Sequence, residues 1–494
     1  MEKREQWGSR AGFILAAVGS AIGLGNIWRF PYMAYENGGG AFFIPYIFAL
    51  LTAGIPFMIM EFGLGHKYKG SAPKVLAAVN SKYEWLGWVQ IMVAAIIAVY
   101  YAAVIGWTIN YLGFAFDGAW GTDTKGFFFG EYLGLTSSPM ELGGIRWPIF
   151  GACALTWGLT WLACNSGIRG GIERACKLLI PLLFALVLVF IGRVITLPGA
   201  SVGLDFLFTP NFSKLADPTV WAAAYGQIFF SLSIGFGIMI AYSSYLPKDS
   251  DICNNAAITV FINCGFSMLA GIMIFSVLGS MAHSTGQAVS DVAGAGVGLA
   301  FITIPAAINT MPAPLFFGTV FFLCLTMAGV SSHISIVEAV GSAMIDKLGA
   351  SRQKTITVIC VIGFALTTVF TTGGGLLILD IVDHFINNIC LLFAALVEIV
   401  LMSWVIGLDQ VRDDVNASSD FKVGNLWALS LRVITVLVLG YTFFTNLYEK
   451  IMTPYGGYAQ FDLITLGWSI LPLSILVAIF LQRKQSHKQF QHYS

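Results

Sequence analysis

The sequence reads Gly12-Phe-Ile-Leu-Ala-Ala-Val-Gly-Ser-Ala-Ile-Gly-Leu-Gly-Asn-Ile-Trp28 near its start, without a charged residue and with glycines at 19, 23 and 25. With its neighbours this stretch can cross a bilayer, which takes about 20 apolar residues. A second uncharged stretch, 218–247, carries Ser231-Leu-Ser-Ile-Gly-Phe-Gly237 at its middle. Glycine also allows close helix packing, and unwound backbone at membrane depth survives only in a protein-lined or water-filled cavity. Two such breaks at corresponding places of two halves predict a transporter's binding site.

The composition is that of a membrane protein. Hydrophobic residues make up 57% of the chain and charged residues 11%, against roughly 25% charged in an average soluble domain. Hydropathy predicts an all-α polytopic membrane protein with about twelve transmembrane helices. The predicted spans lie near 11–35, 41–65, 87–116, 147–164, 177–198, 221–247, 253–281, 314–345, 354–371, 376–404, 425–447 and 463–482. The formal net charge of +0 argues against a nucleic-acid partner.

The basic residues predict the orientation. With the N-terminus inside, the predicted cytoplasmic segments hold about twenty Lys and Arg residues, as the positive-inside rule requires. The outer segments hold only Lys125, Arg146, Arg193, Lys214 and Lys450. We therefore expect a multi-pass protein of the cell membrane (inner or plasma) with both termini in the cytoplasm. The lipid bilayer is an expected partner, and the oligomeric state is left open.

Ionisable residues at membrane depth are expensive and are therefore functional candidates. Those within predicted spans are Arg29, Glu61, Glu338, Asp380, Asp383 and Glu398. Arg29, near the outer end of the first span, and Asp383, in the outer third of the tenth, predict a closing pair above a central site. Glu61 is predicted to accept hydrogen bonds from backbone that the first break frees. For Glu338 and Glu398, capping or stapling of helices is the favoured interpretation.

Neutral oxygens are enough to bind sodium, and the eighth span offers some in Ala328-Gly-Val-Ser-Ser332. Hydroxyls in spanning helices usually bond the carbonyl of their own preceding turn. Beside unwound carbonyls at Gly19 and Ile22 they would instead form an all-oxygen sodium cage. Asn26 and Asn263 also need partners in the bilayer interior, and they would complete a second cage.

Enzyme chemistry finds no support. The sequence lacks His-Glu-x-x-His, Gly-x-Ser-x-Gly and Gly-x-x-x-x-Gly-Lys-Ser/Thr motifs, and its eight cysteines show no metal-type spacing. These absences predict a protein that is not an enzyme and does not use ATP to drive transport.

Nearly the whole chain resembles a known family. The signature of neurotransmitter:sodium symporters is similar to Trp7-Gly-Ser-Arg-Ala-Gly12, Gly19-Ser-Ala-Ile-Gly-Leu-Gly-Asn-Ile-Trp-Arg-Phe-Pro31, Glu36-Asn-Gly-Gly-Gly-Ala-Phe42 and Pro45-Tyr46. The family's second broken helix is similar to Gly226-Gln-Ile-Phe-Phe-Ser-Leu-Ser-Ile-Gly-Phe-Gly237. The resemblance implies one transporter domain over 1–494. It would contain a 5+5 inverted repeat (11–200 and 221–404) with broken helices 1 and 6, and two additional helices (425–482).

The resemblance implies two sodium sites. The first would use the Ala21 carbonyl, Asn26, Ser231, Asn263 and the substrate carboxylate. The second would use the carbonyls of Gly19, Ile22 and Ala328 and the hydroxyls of Ser331 and Ser332. Ser231 and Ser331 stand where the bacterial leucine transporter, a family member similar to this chain, has threonine. Because serine keeps the hydroxyl, both ligand roles are retained.

The resemblance also implies a substrate pocket and two gates. The pocket would consist of Ala21, Gly23, Gly25, Ile97, Tyr101, Phe230, Ser231, Ser233, Phe236, Ser332 and Ile336. Tyr101 would donate its hydroxyl to the substrate carboxylate, and Phe230 would form a lid below Arg29 and Asp383. An inner gate would consist of Arg4, Trp7, Tyr245 and Asp346, which by themselves are ordinary helix-end residues.

Gly23 bears on the substrate class. Biogenic-amine members of the family carry aspartate there, whereas glycine leaves space for a carboxylate of the substrate beside sodium. The expected function is therefore sodium-coupled import of a neutral zwitterionic amino acid by alternating access. Taurine or a β- or γ-amino acid, and a membrane protein that senses amino acids without transport, are the alternatives. His333 is predicted to face a neighbouring span, because adjacent helix positions point about 100° apart, and a proton-linked role for it is left open.

Chloride dependence is expected from Ser267, four residues after Asn263. Chloride-independent bacterial members carry glutamate at that place, and chloride-dependent animal members carry serine. A fixed carboxylate and a bound chloride both offset sodium charge in a low-dielectric core. The family's chloride-binding positions correspond to Tyr46, Gln227, Ser231 and Ser267, with Asn263 nearby. The alternative is that Ser267 only packs and another acid, such as Glu61, compensates.

Overall fold

The computed structural model describes residues 4–293 and 296–484. The helices used below are α1 (Arg10–Ala21), α2 (Leu24–Glu36), α3 (Gly40–Tyr68), α4 (Ser81–Phe114), α5 (Trp147–Asn165), α6 (Ile168–Val194), α7 (Ala200–Phe208), α8 (Pro218–Ser231), α9 (Ile238–Ser243), α10 (Ile252–Thr285), α11 (Pro314–Leu348), α12 (Arg352–Thr371), α13 (Gly375–Ile406), α14 (Asp409–Ser418), α15 (Asn425–Gly457) and α16 (Gln460–Arg483). Among these residues, ten helices are long and apolar enough to cross a membrane, or eleven if α1 and α2 form one bent span. The prediction of an all-α polytopic membrane protein is confirmed.

The difference from twelve spans arises in the segment predicted at 221–247. The structure builds it from α8 and α9, which are too short to cross a bilayer separately and are divided by residues 232–237. Other predicted limits differ because hydropathy follows only the apolar part of a helix. The fifth predicted span, 177–198, belongs to α6, which begins at Ile168. Its first turns carry Arg169, Glu173 and Arg174.

The first break lies at Ile22 and Gly23, where the backbone is extended (φ −76°, ψ 95° and φ −115°, ψ −172°). The axes of α1 and α2 differ by 56°. Asn26 fixes the start of α2, since its Oδ1 accepts a hydrogen bond from the Gly23 N–H at 3.1 Å. At Gly19, a Cβ would lie 2.9 Å from Ile180 and 3.4 Å from Ser331. Glycine therefore lets α1 approach both α6 and α11.

The second break contains three residues with left-handed backbone: Ser233 (φ 55°), Gly235 (φ 86°) and Gly237 (φ 79°). The buried Glu61 on α3 accepts a hydrogen bond from the Gly235 N–H at 3.1 Å. The prediction that Glu61 supports the first break is therefore wrong. The reason is packing: α3 touches α9 so closely that a Cβ on Gly65 would lie 2.1 Å from the Ile240 carbonyl oxygen.

Candidate substrate and ion site

Two hydroxyls of α11 face the carbonyl end of α1. The Ser331 Oγ lies 3.0 Å from both the Gly19 and the Ala328 carbonyl oxygens. The Ser332 Oγ lies 3.2 Å from the carbonyl oxygen of Gly19, 3.1 Å from that of Ser20 and 3.2 Å from that of Ile22. The structure thus brings together all five residues that the resemblance implied for the second sodium site. Ser20 is an additional neighbour.

This cluster consists of neutral oxygens. Two serine hydroxyls, each with one proton to donate, lie among four carbonyls, of which that of Ser20 also accepts from the Ser233 Oγ at 3.0 Å. Three of these carbonyls lie at the C-terminal end of α1, where unpaired carbonyls and the helix dipole concentrate negative charge. Such an oxygen-only cluster suits a small hard cation.

A second convergence of oxygens involves Asn26 and Asn263. The Asn26 Nδ2 donates to the Asn263 Oδ1 at 2.9 Å, and the Asn263 Nδ2 donates to the Ser231 Oγ at 3.2 Å. The same Asn263 oxygen lies 3.2 Å from the Ala21 carbonyl oxygen and 3.3 Å from that of Ser231. Carbonyl oxygens this close repel one another unless a cation lies between them or the Asn263 amide turns its nitrogen toward them. All four protein residues implied for the first sodium site therefore meet.

Gly23 lies close to the Tyr101 and Ser332 hydroxyls, next to these oxygens. A Cβ on Gly23 would lie 3.2 Å from the Tyr101 hydroxyl and 3.3 Å from the Ser332 Oγ. The Tyr101 hydroxyl accepts a hydrogen bond from the Leu24 N–H at 3.2 Å, which places it at the N-terminus of α2. The Ser233 Oγ donates to the Ser20 carbonyl at 3.0 Å, so the second break touches the first. This arrangement offers a small anionic group both a hydroxyl and a helix N-terminus.

The apolar residues implied for the pocket lie on four helices or breaks. Ile97 is on α4, Phe236 is in the second break, and Ile336 is on α11; Phe236 and Ile336 are buried and Ile97 is partly exposed. Phe230 is partly exposed at the end of α8, and a Cβ on Gly25 would lie only 2.3 Å from its ring. Glycine at position 25 is thus required for the observed place of the Phe230 ring.

Gly25→Ala should therefore displace Phe230 and weaken substrate binding by about tenfold, the effect of roughly 1.4 kcal/mol of misplaced contacts. Gly226→Ala is the matched control on α8, because a Cβ there would meet no atom within 4 Å. Isothermal titration calorimetry with the substrate measures the affinity of both variants. Equal affinity in Gly25→Ala and the wild type would contradict the packing argument.

The predicted pair of Arg29 and Asp383 is apart in this structure. The Arg29 guanidinium stacks over the Phe230 ring at 4.5 Å, and Asp383 accepts hydrogen bonds from the Tyr100 hydroxyl (2.7 Å) and the Asn387 Nδ2 (2.8 Å). A cavity of about 300 Å³, lined by Arg29, Phe230 and Asn387 among others, lies at this end of the site. Tyr100 is a partner that the sequence prediction missed, because only its neighbour Tyr101 is among the residues that the resemblance implies.

The opposite end is closed by the residues implied for the inner gate. Arg4 pairs with Asp346 at 2.9 Å and lies 4.7 Å over the Tyr245 ring. The Trp7 backbone N–H donates to the Tyr245 carbonyl at 3.2 Å, and its indole N–H donates to the Tyr242 carbonyl at 2.8 Å. The segment before α1 is thereby fastened to the end of α9 and to α11.

This closed end also contains a buried ion pair that the sequence prediction missed. Glu338 accepts hydrogen bonds from the Tyr245 hydroxyl at 2.8 Å and from the Arg352 Nη1 at 3.0 Å. Arg352 stands at the start of α12, and fourteen positions separate it from Glu338. The sequence gives no sign of this pair, because Glu338 lies within one span and Arg352 lies before the next.

The implied chloride positions form a polar group between α3, α8 and α10. Both side-chain polar atoms of the buried Gln227 have no hydrogen-bond partner among the described residues. Ser267 accepts from the Asn26 Nδ2 at 2.9 Å, and Tyr46 lies beside Ser231 and Ser267 and donates to the Cys264 sulfur at 3.3 Å. The group offers amide and hydroxyl donors, and α10 contains no acidic residue.

His333 lies away from this site, as expected. Its Nδ1 is 2.7 Å from the Thr160 Oγ1 and its Nε2 is 3.0 Å from the Ala98 carbonyl oxygen. The ring also packs edge-on against Trp157. Both ring nitrogens are satisfied when the imidazole is neutral, with Nε2 as donor and Nδ1 as acceptor.

Comparison with known proteins agrees with this geometry. The model of the sodium:neurotransmitter symporter family matches residues 4–125 and 120–488. The chain is 43% identical to an uncharacterized sodium-dependent transporter of Methanocaldococcus jannaschii, over 98% of this chain and 99% of that protein. It is 31% identical to the sodium- and chloride-dependent taurine transporter of Rattus norvegicus, over 97% of this chain and 83% of that protein. It is 32% identical to the human sodium- and chloride-dependent GABA transporter 2, over 97% and 87%.

The match covers nearly the full length of the chain. The chain belongs to the sodium:neurotransmitter symporter family and is a sodium-dependent membrane transporter, not an enzyme.

Proposed function

We propose that this transporter couples the entry of sodium to the import of a neutral zwitterionic amino acid. The observation that carries the proposal is the convergence of oxygens on the α1–α2 break beside Gly23: the Ser332 Oγ with the Gly19 and Ile22 carbonyls on one side, and Asn263 with the Ala21 carbonyl on the other. Two sodium ions would fit these two groups of oxygens.

In this proposal the two sodium ions occupy the two oxygen clusters. One ion binds Ala21, Asn26, Ser231, Asn263 and the substrate carboxylate, and it holds the Asn263 oxygen toward the two carbonyls. The other ion binds Gly19, Ile22, Ala328, Ser331 and Ser332. Because the carboxylate is itself a ligand of the first ion, substrate and sodium bind cooperatively.

The substrate carboxylate would lie beside Gly23, which has no side chain to occupy that place. The Tyr101 hydroxyl accepts from Leu24 at 3.2 Å and would donate its own proton to the carboxylate. The N-terminus of α2 adds a favourable dipole. The side chain of the substrate would then contact Ile97, Phe236 and Ile336, beneath the lid formed by Phe230.

Transport would proceed by alternating access between the repeats 11–200 and 221–404, with the Arg4 end in the cytoplasm of a cell-membrane protein. The described state is closed at Arg4, and binding would bring Arg29 and Asp383 together. That closure requires Asp383 to turn from Tyr100 and Asn387, so ligands must favour the closed conformer by their differential affinity.

Sodium-dependent binding tests the substrate assignment. Thermal unfolding of the purified protein should shift upward with a neutral amino acid only when sodium is present, since a ligand stabilises the state that it binds. The screen should include all twenty standard amino acids, with potassium in place of sodium as the control. Equal shifts in potassium and sodium would refute coupling at the proposed sites.

A longer zwitterion is the second candidate substrate, and the names of two relatives favour it. Two relatives of this chain are named as transporters of taurine and of GABA. In both compounds more than one carbon separates the amine from the acidic group. The same screen should therefore include taurine, β-alanine and γ-aminobutyrate. A sodium-dependent shift with these compounds alone would select this candidate over an α-amino acid.

We further propose that chloride binds at Tyr46, Gln227, Ser231 and Ser267, near Asn263. The unpaired amide of the buried Gln227 supports this, because a buried donor without a partner is costly. An anion there would also offset the sodium charge across a few ångströms of low-dielectric protein.

Replacing chloride with gluconate should consequently reduce uptake by about tenfold or more, since loss of a buried counter-charge costs over 1.4 kcal/mol. Ser267→Glu should restore uptake without chloride by supplying a fixed charge. Ser267→Gln is the matched control, because it has similar volume and no charge. Full wild-type uptake in chloride-free buffer at several pH values would contradict the chloride site.

A further inference from the structure

A polar stripe runs along one face of α11 from the Ser332 cluster toward the closed end. Ser331, Ser335, Glu338 and Ser342 recur at helical spacing and are at most 3% exposed. Asp346 continues the same face to the Arg4 pair. The stripe covers about 22 Å of helix, at 1.5 Å per residue. Such a face is unusual in an otherwise apolar span, because each polar group needs a partner at this depth.

The stripe is continuous with the oxygens of the second proposed sodium site. The Ser335 Oγ lies 2.8 Å from the Ser20 Oγ and 2.7 Å from the Ser332 carbonyl oxygen. The Ser332 Oγ in turn lies 3.1 Å from the Ser20 carbonyl oxygen. An ion that leaves the Ser332 cluster toward Arg4 therefore meets Ser20 and Ser335 next.

A fully buried hydroxyl lies beside the same stretch. The Tyr242 hydroxyl of α9 makes no hydrogen bond within 3.5 Å among the described residues, and its neighbours on the stripe are Ser335 and Glu338. A hydroxyl oxygen at this place can ligate a passing cation.

Glu338 is the charged residue in the middle of the stripe, and its present partner, Arg352, has an alternative. Arg352 binds both oxygens of Glu338. The Arg352 Nε also lies 3.9 Å from the Glu5 carboxylate, which is exposed just before α1. If another cation neutralises Glu338, Arg352 can transfer to Glu5 without losing an ionic partner.

We propose that Glu338 is a transient sodium site on the way from the Ser332 cluster to the cytoplasm, with Ser335 and Tyr242 as neighbouring ligands. Sodium replaces Arg352 at Glu338, and Arg352 moves to Glu5 while the Arg4 gate opens. The proposal rests on the sodium-coupled function above. It gives the buried Glu338 carboxylate a role in the exit of the sodium ion that binds at Ser331 and Ser332.

Inhibition of uptake by sodium inside oriented membrane vesicles tests this proposal. Glu338→Gln should raise the internal sodium concentration for half-inhibition by about tenfold, because it removes the charge that attracts returning sodium. Arg352→Gln should lower that concentration, because it frees the carboxylate. The double variant should behave as Glu338→Gln does, and Glu338→Asp should stay near the wild type. Tyr245→Phe is the control for a loosened gate, since it removes one hydrogen bond to Glu338 and no charge.

If the Glu338–Arg352 ion pair had only a structural role, the variants would give a different pattern of half-inhibition. Glu338→Gln and Arg352→Gln would then break the same contact and shift half-inhibition in the same direction, which would overturn the proposal. Inhibition that follows internal pH instead of internal sodium would also overturn it and identify a proton site. Failure of the proposed function is distinct, because wild-type vesicles would then show no sodium-driven accumulation at all.

Discussion

Ser332→Ala should raise the sodium concentration for half-maximal uptake by about tenfold to a hundredfold, because interactions with a charged group are worth about 1.5–3 kcal/mol and each 1.4 kcal/mol is tenfold. The Ser332 Oγ is the only side-chain atom among the described residues that lies within 3.2 Å of the Gly19, Ser20 and Ile22 carbonyl oxygens together. Initial uptake rates over a range of external sodium concentrations measure the effect.

The matched control is Ser403→Ala on α13. Ser403 is also buried, but its hydroxyl donates to the Ile399 carbonyl of its own helix, so its loss should leave the sodium dependence unchanged. A sodium dependence in Ser332→Ala equal to that of the wild type would show that Ser332 does not contact the transported ion.

Asn26→Ala should abolish the effect of sodium on substrate binding. Asn26 caps α2 through the Gly23 N–H and donates to both Asn263 and Ser267. Alanine therefore removes a ligand of the first proposed ion. It also loosens the α1–α2 break, beside which the substrate carboxylate would bind. Loss of a helix cap alone costs about 0.5–2 kcal/mol, so the protein should remain folded.

Thermal shift with substrate, in sodium and in potassium, measures this second effect. Asn110→Ala serves as the control, because Asn110 lies on α4 and its side chain donates to the Tyr132 hydroxyl at 2.9 Å. If Asn26→Ala kept the wild-type difference between sodium and potassium, the first sodium site would lie elsewhere.

The breaks could be predicted from the sequence because local chemistry determines them. Gly23 and Gly235 interrupt long apolar runs, and the structure unwinds the backbone at both places. The sequence likewise predicts that Ser332 and Asn263 have polar partners, since neutral polar groups at membrane depth must find them. In each case the residues that carry the prediction lie within one span.

Partners between spans were harder to predict. Glu61 supports Gly235 instead of the first break, because the packing of α3 against α9 decides which freed N–H it meets. Glu338 pairs with Arg352 across a turn, and nothing in the spacing of these charges indicates it. Arg29 and Asp383 do not pair in this structure, and their pairing in a closed conformer stays a prediction.

The most direct test of sodium-coupled amino-acid import is concentrative uptake into vesicles that contain the purified protein. With an inward sodium gradient, the substrate found in the thermal-shift screen should accumulate above its external concentration. The accumulation should collapse when sodium is equal on both sides, even if a proton gradient remains. Accumulation that persists without the sodium gradient, or that follows the proton gradient alone, would contradict the account.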